Sequence, residues 1–205
     1  MVYANCRLEE RLWQKGFQYV CGMDEVGRGC FAGPVVVGAV VFSPDSKIPV
    51  GIADSKLLKP QVREKLAEEI KQVIPYCSTA VIGVDFINKF GIGKATMMAF
   101  RKAVKLLAVN PDHILVDAFY IDHLDRIKQT AVKDGDTICS SIAAASIIAK
   151  VYRDKLMEGL HEKYPQYGFA IHKGYGTKKH QEAIKIHGLS KIHRTSFNLT
   201  KFLAV

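Results

Sequence analysis

The run Tyr19-Val20-Cys21-Gly22-Met23-Asp24-Glu25-Val26-Gly27-Arg28-Gly29, with Pro34-Val35-Val36-Val37-Gly38-Ala39-Val40-Val41-Phe42 close behind it, decides how the rest of the chain is read. The two apolar, β-branched runs predict buried strands over 19–23 and 34–42. Between them lie an acidic pair and a glycine-rich turn. Acids at the end of a buried strand are unusual, because a charged group resists leaving water unless it is paired or bound to a metal. Neighbouring strand residues point to opposite faces. Asp24 and Glu25 therefore serve one site only if the strand ends there, and Gly27 makes such a bend plausible.

Moving outward, Ser78 to Val84, His113 to Asp117 and Ile127 to Val132 read as further strands. Helical periodicity appears over Leu8–Lys15, Pro60–Val73, Lys94–Leu107, Ser140–Tyr164 and Lys178–His187. Pro75, Pro111, Pro165 and Gly188 supply the stops. The stretch Ile142 to Ala149 is apolar nearly all round, which predicts a buried helix half. Strands come first and helices alternate later, so the expected class is α/β: a mixed sheet with helices packed on it. The 205 residues suit one globular unit, with a core over 1–165 and a basic helical part over 166–205.

Charge is distributed unevenly. Residues 1–149 carry 18 basic and 16 acidic side chains, whereas residues 150–205 carry 11 and 4. The total of +9 suggests a polyanionic partner, although a solvated surface explains it equally well. The five cysteines are odd in number and widely spaced, with no Cys-x-x-Cys pair, so neither a disulfide framework nor a zinc site is expected. Reduced thiols in the cytoplasm are the simplest reading. Met1 to Glu10 holds no apolar signal core, and the longest apolar stretch, Cys30 to Phe42, is too short for a bilayer. No membrane role is expected.

Beside the pair Asp24-Glu25, two further carboxylates stand apart from the solvated helix faces: Asp117 after a short strand, and Asp136 just before the apolar helix. Taken singly, each reads as well as a turn or cap residue. Taken together, such oxygen ligands suit Mg²⁺ or Mn²⁺. Two such ions about 4 Å apart can act on a phosphodiester. Gly27-Arg28-Gly29 matches neither a Walker loop nor a dinucleotide fingerprint. Its amides can nonetheless cradle an anion, and Arg28 offers a planar donor fork. Asp54-Ser55-Lys56 precedes a helix. Lys56 could meet a phosphate there, or Asp54 could simply shape the turn.

These residues, in order, resemble ribonuclease HII. The resemblance runs through Asp24-Glu25-Val26-Gly27-Arg28-Gly29, Ala32-Gly33-Pro34-Val35-Val36, Asp54-Ser55-Lys56, Leu115-Val116-Asp117 and Gly135-Asp136. It continues through Ala144 to Val151, Arg153-Asp154, His172-Lys173-Gly174-Tyr175-Gly176-Thr177, and His193-Arg194 with Ser196-Phe197. The resemblance implies a ribonuclease H-like fold with a C-terminal helical subdomain. It implies hydrolysis on the 5′ side of a ribonucleotide in RNA–DNA hybrids or in duplex DNA, leaving 3′-hydroxyl and 5′-phosphate ends. The implied cofactor is Mg²⁺ or Mn²⁺ on Asp24, Glu25, Asp117 and Asp136, with Asp134 as the rival for the fourth position. Gly27, Arg28 and Gly29 are implied to read the ribose 2′-hydroxyl and its phosphate, the feature that separates RNA from DNA. Tyr175 is implied to stack at the RNA–DNA junction. Lys56, Lys173, His193 and Arg194 are the expected backbone contacts, and Asp154 is expected to hold Arg153 or a backbone group. The expected assembly is a monomer on its nucleic acid.

Overall fold

The computed structural model describes residues 3–203; Met1, Val2 and residues 204–205 lie outside it. Five strands form one sheet: β1 (Val20–Val26), β2 (Val35–Phe42), β3 (Cys77–Ile82), β4 (His113–Asp117) and β5 (Gln129–Val132). The order is β3-β2-β1-β4-β5, with β1 at the centre. β1 runs antiparallel to β2 and parallel to β4, so the sheet is mixed. Every residue of β2 is buried, as expected of a strand covered on both faces.

One face packs under α3 (Val84–Phe90) and α4 (Ile92–Lys105), through Cys21, Met23, Val37, Ala99 and Phe100. The other face carries α6 (Ser140–Lys163), flanked by α2 (Pro60–Val73). A short N-terminal helix, α1 (Arg7–Gln14), ties onto the start of α6. Its buried Glu9 accepts hydrogen bonds from the Ser141 amide at 2.7 Å and from the Cys139 thiol at 3.1 Å. A carboxylate at a helix N-terminus complements the dipole there. The C-terminal part, α7 (Phe169–His172) and α8 (Lys178–His187), shares a core with the glycine turn and α6 through Ala32, Met157, Tyr167 and Phe169. All five cysteines are free thiols. Among the described residues, no helix is long and apolar enough to cross a membrane.

Among the differences from the sequence expectation, three stand out. β1 does not stop at Met23 but continues through the acidic pair, because β2 keeps pairing with it as far as Val26–Val36. The third strand ends at Ile82, and Gly83 opens helix α3 where the strand pattern had continued. A four-residue helix, α5 (Gly135–Ile138), carries Asp136 where no element was expected.

Two glycines set how closely α6 can sit on the sheet. A Cβ on Gly22 would lie 2.1 Å from the Ser141 carbonyl carbon, and one on Gly38 would lie 2.3 Å from the Ala145 oxygen. The small residues Ala143 to Ala145 complete this contact from the helix side.

Two arginines brace the turn between β1 and β2. Arg153 and Arg194 are both fully buried. Arg153 donates to the carbonyls of Pro34 (2.9 Å), Lys173 (2.8 Å) and Ala32 (3.2 Å). Arg194 donates to Gly33 through Nε (3.0 Å) and Nη2 (2.8 Å), and to Arg28 at 2.8 Å. Burial pushes the Arg194 pKa down to about 10, so the group stays charged at neutral pH. Asp154 holds Lys150 (2.7 Å) and Arg63 (3.5 Å) rather than Arg153, contrary to the sequence expectation. The guanidinium of Arg153 is already occupied by carbonyls.

Gly22→Ala is expected to destabilise the fold by about 3 kcal/mol, the upper range for overpacking, because it presses on backbone that cannot move aside. Arg194→Met is expected to cost about 2–4 kcal/mol by leaving buried carbonyls without donors. Urea unfolding monitored by circular dichroism measures both losses. A change within 0.5 kcal/mol for either variant would contradict this account of the packing.

Candidate active site

The site lies where the sheet runs out. β1 pairs with β4 only as far as Met23–Val116, while its pairing with β2 continues to Val26. Asp24 and Glu25 therefore sit on an overhang with one open edge. Asp117, the last residue of β4, stands one step beyond the same pairing and beside Asp24. Asp24 faces α6 and Glu25 the opposite face, yet both line one groove, because the groove wraps around the open strand end. The bend anticipated at Gly27 is present there, directly after the last β1 residue, Val26. Gly27 has φ +94°, and a Cβ there would lie 2.1 Å from Arg153 Nε. Only glycine fits that turn while Arg153 is in place.

The groove, about 200 Å³ in volume, is lined by Asp24, Glu25, Gly27, Arg28, Gly29, Lys56, Asp117 and Tyr175, all singled out in the sequence. Ser55, Ser146 and Lys150 also line it, and sequence reasoning gave them no role. The two serine hydroxyls are buried and 2.9 Å apart, joining the loop before α2 to α6. Ser146 had left a signal, as a hydroxyl within the apolar run 142–149. Asp54 acts as the turn residue, since its carboxylate accepts from the Lys56 amide at 2.8 Å. Lys56 reaches out and donates to Asp136 Oδ2 at 3.0 Å. Asp136 is buried at the start of α5, whereas Asp134 is exposed with φ 52°. The adjacent Gly135 amide donates to Asp117 Oδ1 at 2.7 Å. The α5 turn thus couples Asp117 and Asp136. Tyr175 is exposed, with Lys150 Nζ 5.8 Å and the Arg153 guanidinium 5.9 Å from its ring.

Three expected backbone contacts are elsewhere. His193 and Arg194 are buried, His193 among aromatic rings and Arg194 against the glycine-turn carbonyls. Neither presents a polar atom to the groove, because each already serves an internal partner. The Lys173 ammonium is held by Glu158 and by the Ala170 carbonyl, and its own carbonyl is held by Arg153. These three residues support the site from behind.

The carboxylates are poorly neutralised by the protein itself. Burial first, and then the nearby Asp117 and Asp136 charges, push the Asp24 pKa up to about 7 despite the Ser146 hydroxyl. Burial and the Asp24 charge push Glu25 up to about 8, with Arg28 opposing. Burial also raises Asp117, against the Gly135 hydrogen bond. For Lys56, burial works against the charged form, but the hydrogen bond and charge of Asp136 outweigh it and push the pKa up to about 12. Glu25 Oε2 is buried with no hydrogen-bond partner. Among the described residues, no three His, Cys, Asp or Glu side chains already form a metal cluster. Asp24, Glu25 and Asp117 instead line the groove, and Asp136 is not on its wall but is joined to it through Lys56. A crowded set of hard oxygens that includes an orphaned buried one fits a divalent cation chemically.

Comparison with known proteins gives a consistent result. The family model described as Ribonuclease HII matches residues 21–200. The ribonuclease HII of Acholeplasma laidlawii is 46% identical over 199 residues, covering 96% of each chain. The crystal structure of ribonuclease H2 from Pyrococcus horikoshii superposes with a TM-score of 0.74 at 27% identity, covering 89% of this chain and 95% of that one. Bst-RNase HIII, solved in complex with Mn²⁺, shares the fold at a TM-score of 0.72 and 24% identity, over 90% of this chain and 68% of that one. The mixed sheet, the helices on both of its faces and the shared sequence lead to one conclusion: the chain belongs to the ribonuclease HII family of nucleases.

Proposed function

We propose that this chain cuts the phosphodiester on the 5′ side of a ribonucleotide, both in RNA–DNA hybrids and at single ribonucleotides within duplex DNA. The products are a 3′-hydroxyl and a 5′-phosphate. The observation that carries this reading is the shared groove of Asp24, Glu25, Asp117, the Gly27–Gly29 turn and Tyr175. Asp24, Glu25, Asp117 and Asp136 hold Mg²⁺ or Mn²⁺. When bound, two such ions supply an activated water and neutralise charge on the departing oxygen. The amides of Gly27 and Gly29 and the Arg28 fork bind the 2′-hydroxyl and its phosphate, a contact DNA cannot offer. Tyr175 stacks against the sugar and base at the junction, and the nearby Lys150 favours the phosphate there. Lys56 holds Asp136 in the absence of substrate and turns to a backbone phosphate in its presence. The parts over 1–165 and 166–205 work as one globular unit, a cytoplasmic monomer whose basic C-terminal portion grips the duplex.

Incubating a DNA duplex that carries one ribonucleotide with the protein and Mg²⁺ or Mn²⁺ tests this reading. A single nick on the 5′ side is expected. Asp24→Asn is expected to lower the rate on the order of a hundredfold or more, the scale of losing one charge-stabilising group. No nick above the level of that variant would overturn the proposal. Calorimetric titration should show Mn²⁺ binding lost in Asp24→Asn/Asp117→Asn while DNA affinity persists. Tyr175→Ala is expected to lose about 1–3 kcal/mol of junction discrimination, the value of one stacked base, with little change in affinity for all-DNA duplex. Equal loss on both duplexes would count against the stacking role.

A further inference from the structure

Behind Tyr175 the protein buries three histidines together. His180 and His193 are essentially inaccessible, and His172 is nearly so. The His172 ring stacks on His180 with centroids 4.4 Å apart and planes 15° from parallel. The Nε2 atoms of His180 and His193 are 3.0 Å apart. Phe31, Tyr167 and Phe169 close around the three rings.

The partners fix every tautomer, because a carbonyl can only accept and an amide can only donate. The His172 Nε2 lies 2.6 Å from the Tyr167 carbonyl and must carry its proton. Its Nδ1 accepts from the Gly174 amide at 3.2 Å. The His180 Nδ1 lies 2.9 Å from the Tyr175 carbonyl, so that nitrogen is the protonated one. The His180 Nε2 is then an acceptor, and His193 must donate to it from Nε2. His193 Nδ1 in turn accepts from the Ser190 amide at 2.9 Å, with the Ser190 hydroxyl at 2.8 Å. All six ring nitrogens are committed, and a proton added to any ring would face a donor.

Two of these bonds land on either side of one peptide unit: His172 takes the Gly174 amide, and His180 takes the Tyr175 carbonyl. The backbone here is unusual, with Lys173 at φ 50° and Gly174 at φ 84°. A turn of that kind needs external restraint to point a side chain in one direction. We propose that the chain His193–His180–His172 is a positioning device for Tyr175, which holds its ring over the groove and works only with all three imidazoles neutral. The proposal rests on reading the groove as the nuclease site with Tyr175 at the junction.

The charged and titratable groups facing the cluster come from several elements. His161 of α6 lies toward His172, and Tyr167 packs between His193 and His187 of α8. The Arg194 guanidinium is turned away to Gly33 and Arg28, and the Lys173 ammonium to Glu158. Among the described residues, none of the three histidines makes an ion pair. Burial pushes His180 and His193 down to about 4, and lowers His172 as well. An unfolded histidine protonates near pH 6.5. The cluster's contribution to stability is therefore complete above about pH 6.5 and is lost as pH falls from there to about 4.

The test combines spectroscopy with a double-mutant cycle on the full chain. Nitrogen-15 NMR of labelled histidines at pH 7 should show Nε2–H for His172, Nδ1–H for His180 and Nε2–H for His193. An imidazolium or a reversed tautomer at any of the three would overturn the proposal. His180→Leu is expected to lower kcat/KM on the embedded-ribonucleotide duplex by tenfold or more. His180→Asn, which keeps a side-chain donor near Nδ1, should recover most of that loss. In a Tyr175→Ala background, His180→Leu should have no further effect. If His180→Leu does not fold, His193→Asn, which removes only the outer link, carries the same expectation. Losses that multiply independently in the cycle, in a wild type that cuts normally, would overturn the positioning role alone. A wild type that cuts no ribonucleotide-containing duplex would overturn the reading of the groove and this proposal with it.

Discussion

A turn that packs its carbonyl groups into the protein interior must find donors there, and residues 28–34 cannot supply their own. The carbonyls of Arg28, Ala32, Gly33 and Pro34 all point inward, and two buried guanidinium groups meet them. This contact links parts of the chain that are distant in sequence. Arg153 belongs to the long helix on the sheet, and Arg194 to the C-terminal segment. Arg153 also holds the Lys173 carbonyl, so one side chain spans the turn, the helix and the loop that carries Tyr175. A guanidinium suits this work because its planar fork offers several fixed donors to several acceptors at once.

The groove runs against the usual preference of a folded chain for paired charges. Asp24, Glu25 and Asp117 are pushed together at a strand end, with Lys56 reaching across to Asp136. The scaffold holds them through contacts that do not depend on their ionisation. α6 is seated on Gly22 and Gly38, the Ser55–Ser146 pair anchors the Lys56 loop, and Glu9 fixes the start of α6. Rigid packing of this kind lets a site keep an arrangement that would otherwise relax.

Much of this was legible from the chain. The two valine-rich runs, the alternation over His113–Asp117 and the proline stops located the sheet and most helices, because burial imposes strong periodicity there. The acidic pair stood out because a charge at the end of a buried run is rare. The extent of β1 was not legible. Strand propensity falls at Asp24 and Glu25, but pairing with the valines of β2 overrides it. Lys173, His193 and Arg194 are expected from the resemblance as contacts to the nucleic-acid backbone. His193 and Arg194 instead have interior partners and Lys173 pairs with the exposed Glu158; each partner lies more than ten residues away, which no local pattern reveals. The resemblance puts Asp136 first with Asp134 as its rival, and the short α5 turn separates them physically: Asp136 is buried, while Asp134 is exposed on left-handed backbone.

The overhang of β1 has a meaning for the molecule's life in a crowded solution. Past Met23 the strand shows one unpaired edge, and such edges recruit strands from other molecules. Here the edge bears two carboxylates, and the Asp24 side chain turns back to take the Glu25 amide at 2.7 Å. A foreign strand would meet a donor that is already filled. The acids at the groove thereby also blunt this internal edge, which the sheet leaves open in addition to its outer strands, β3 and β5.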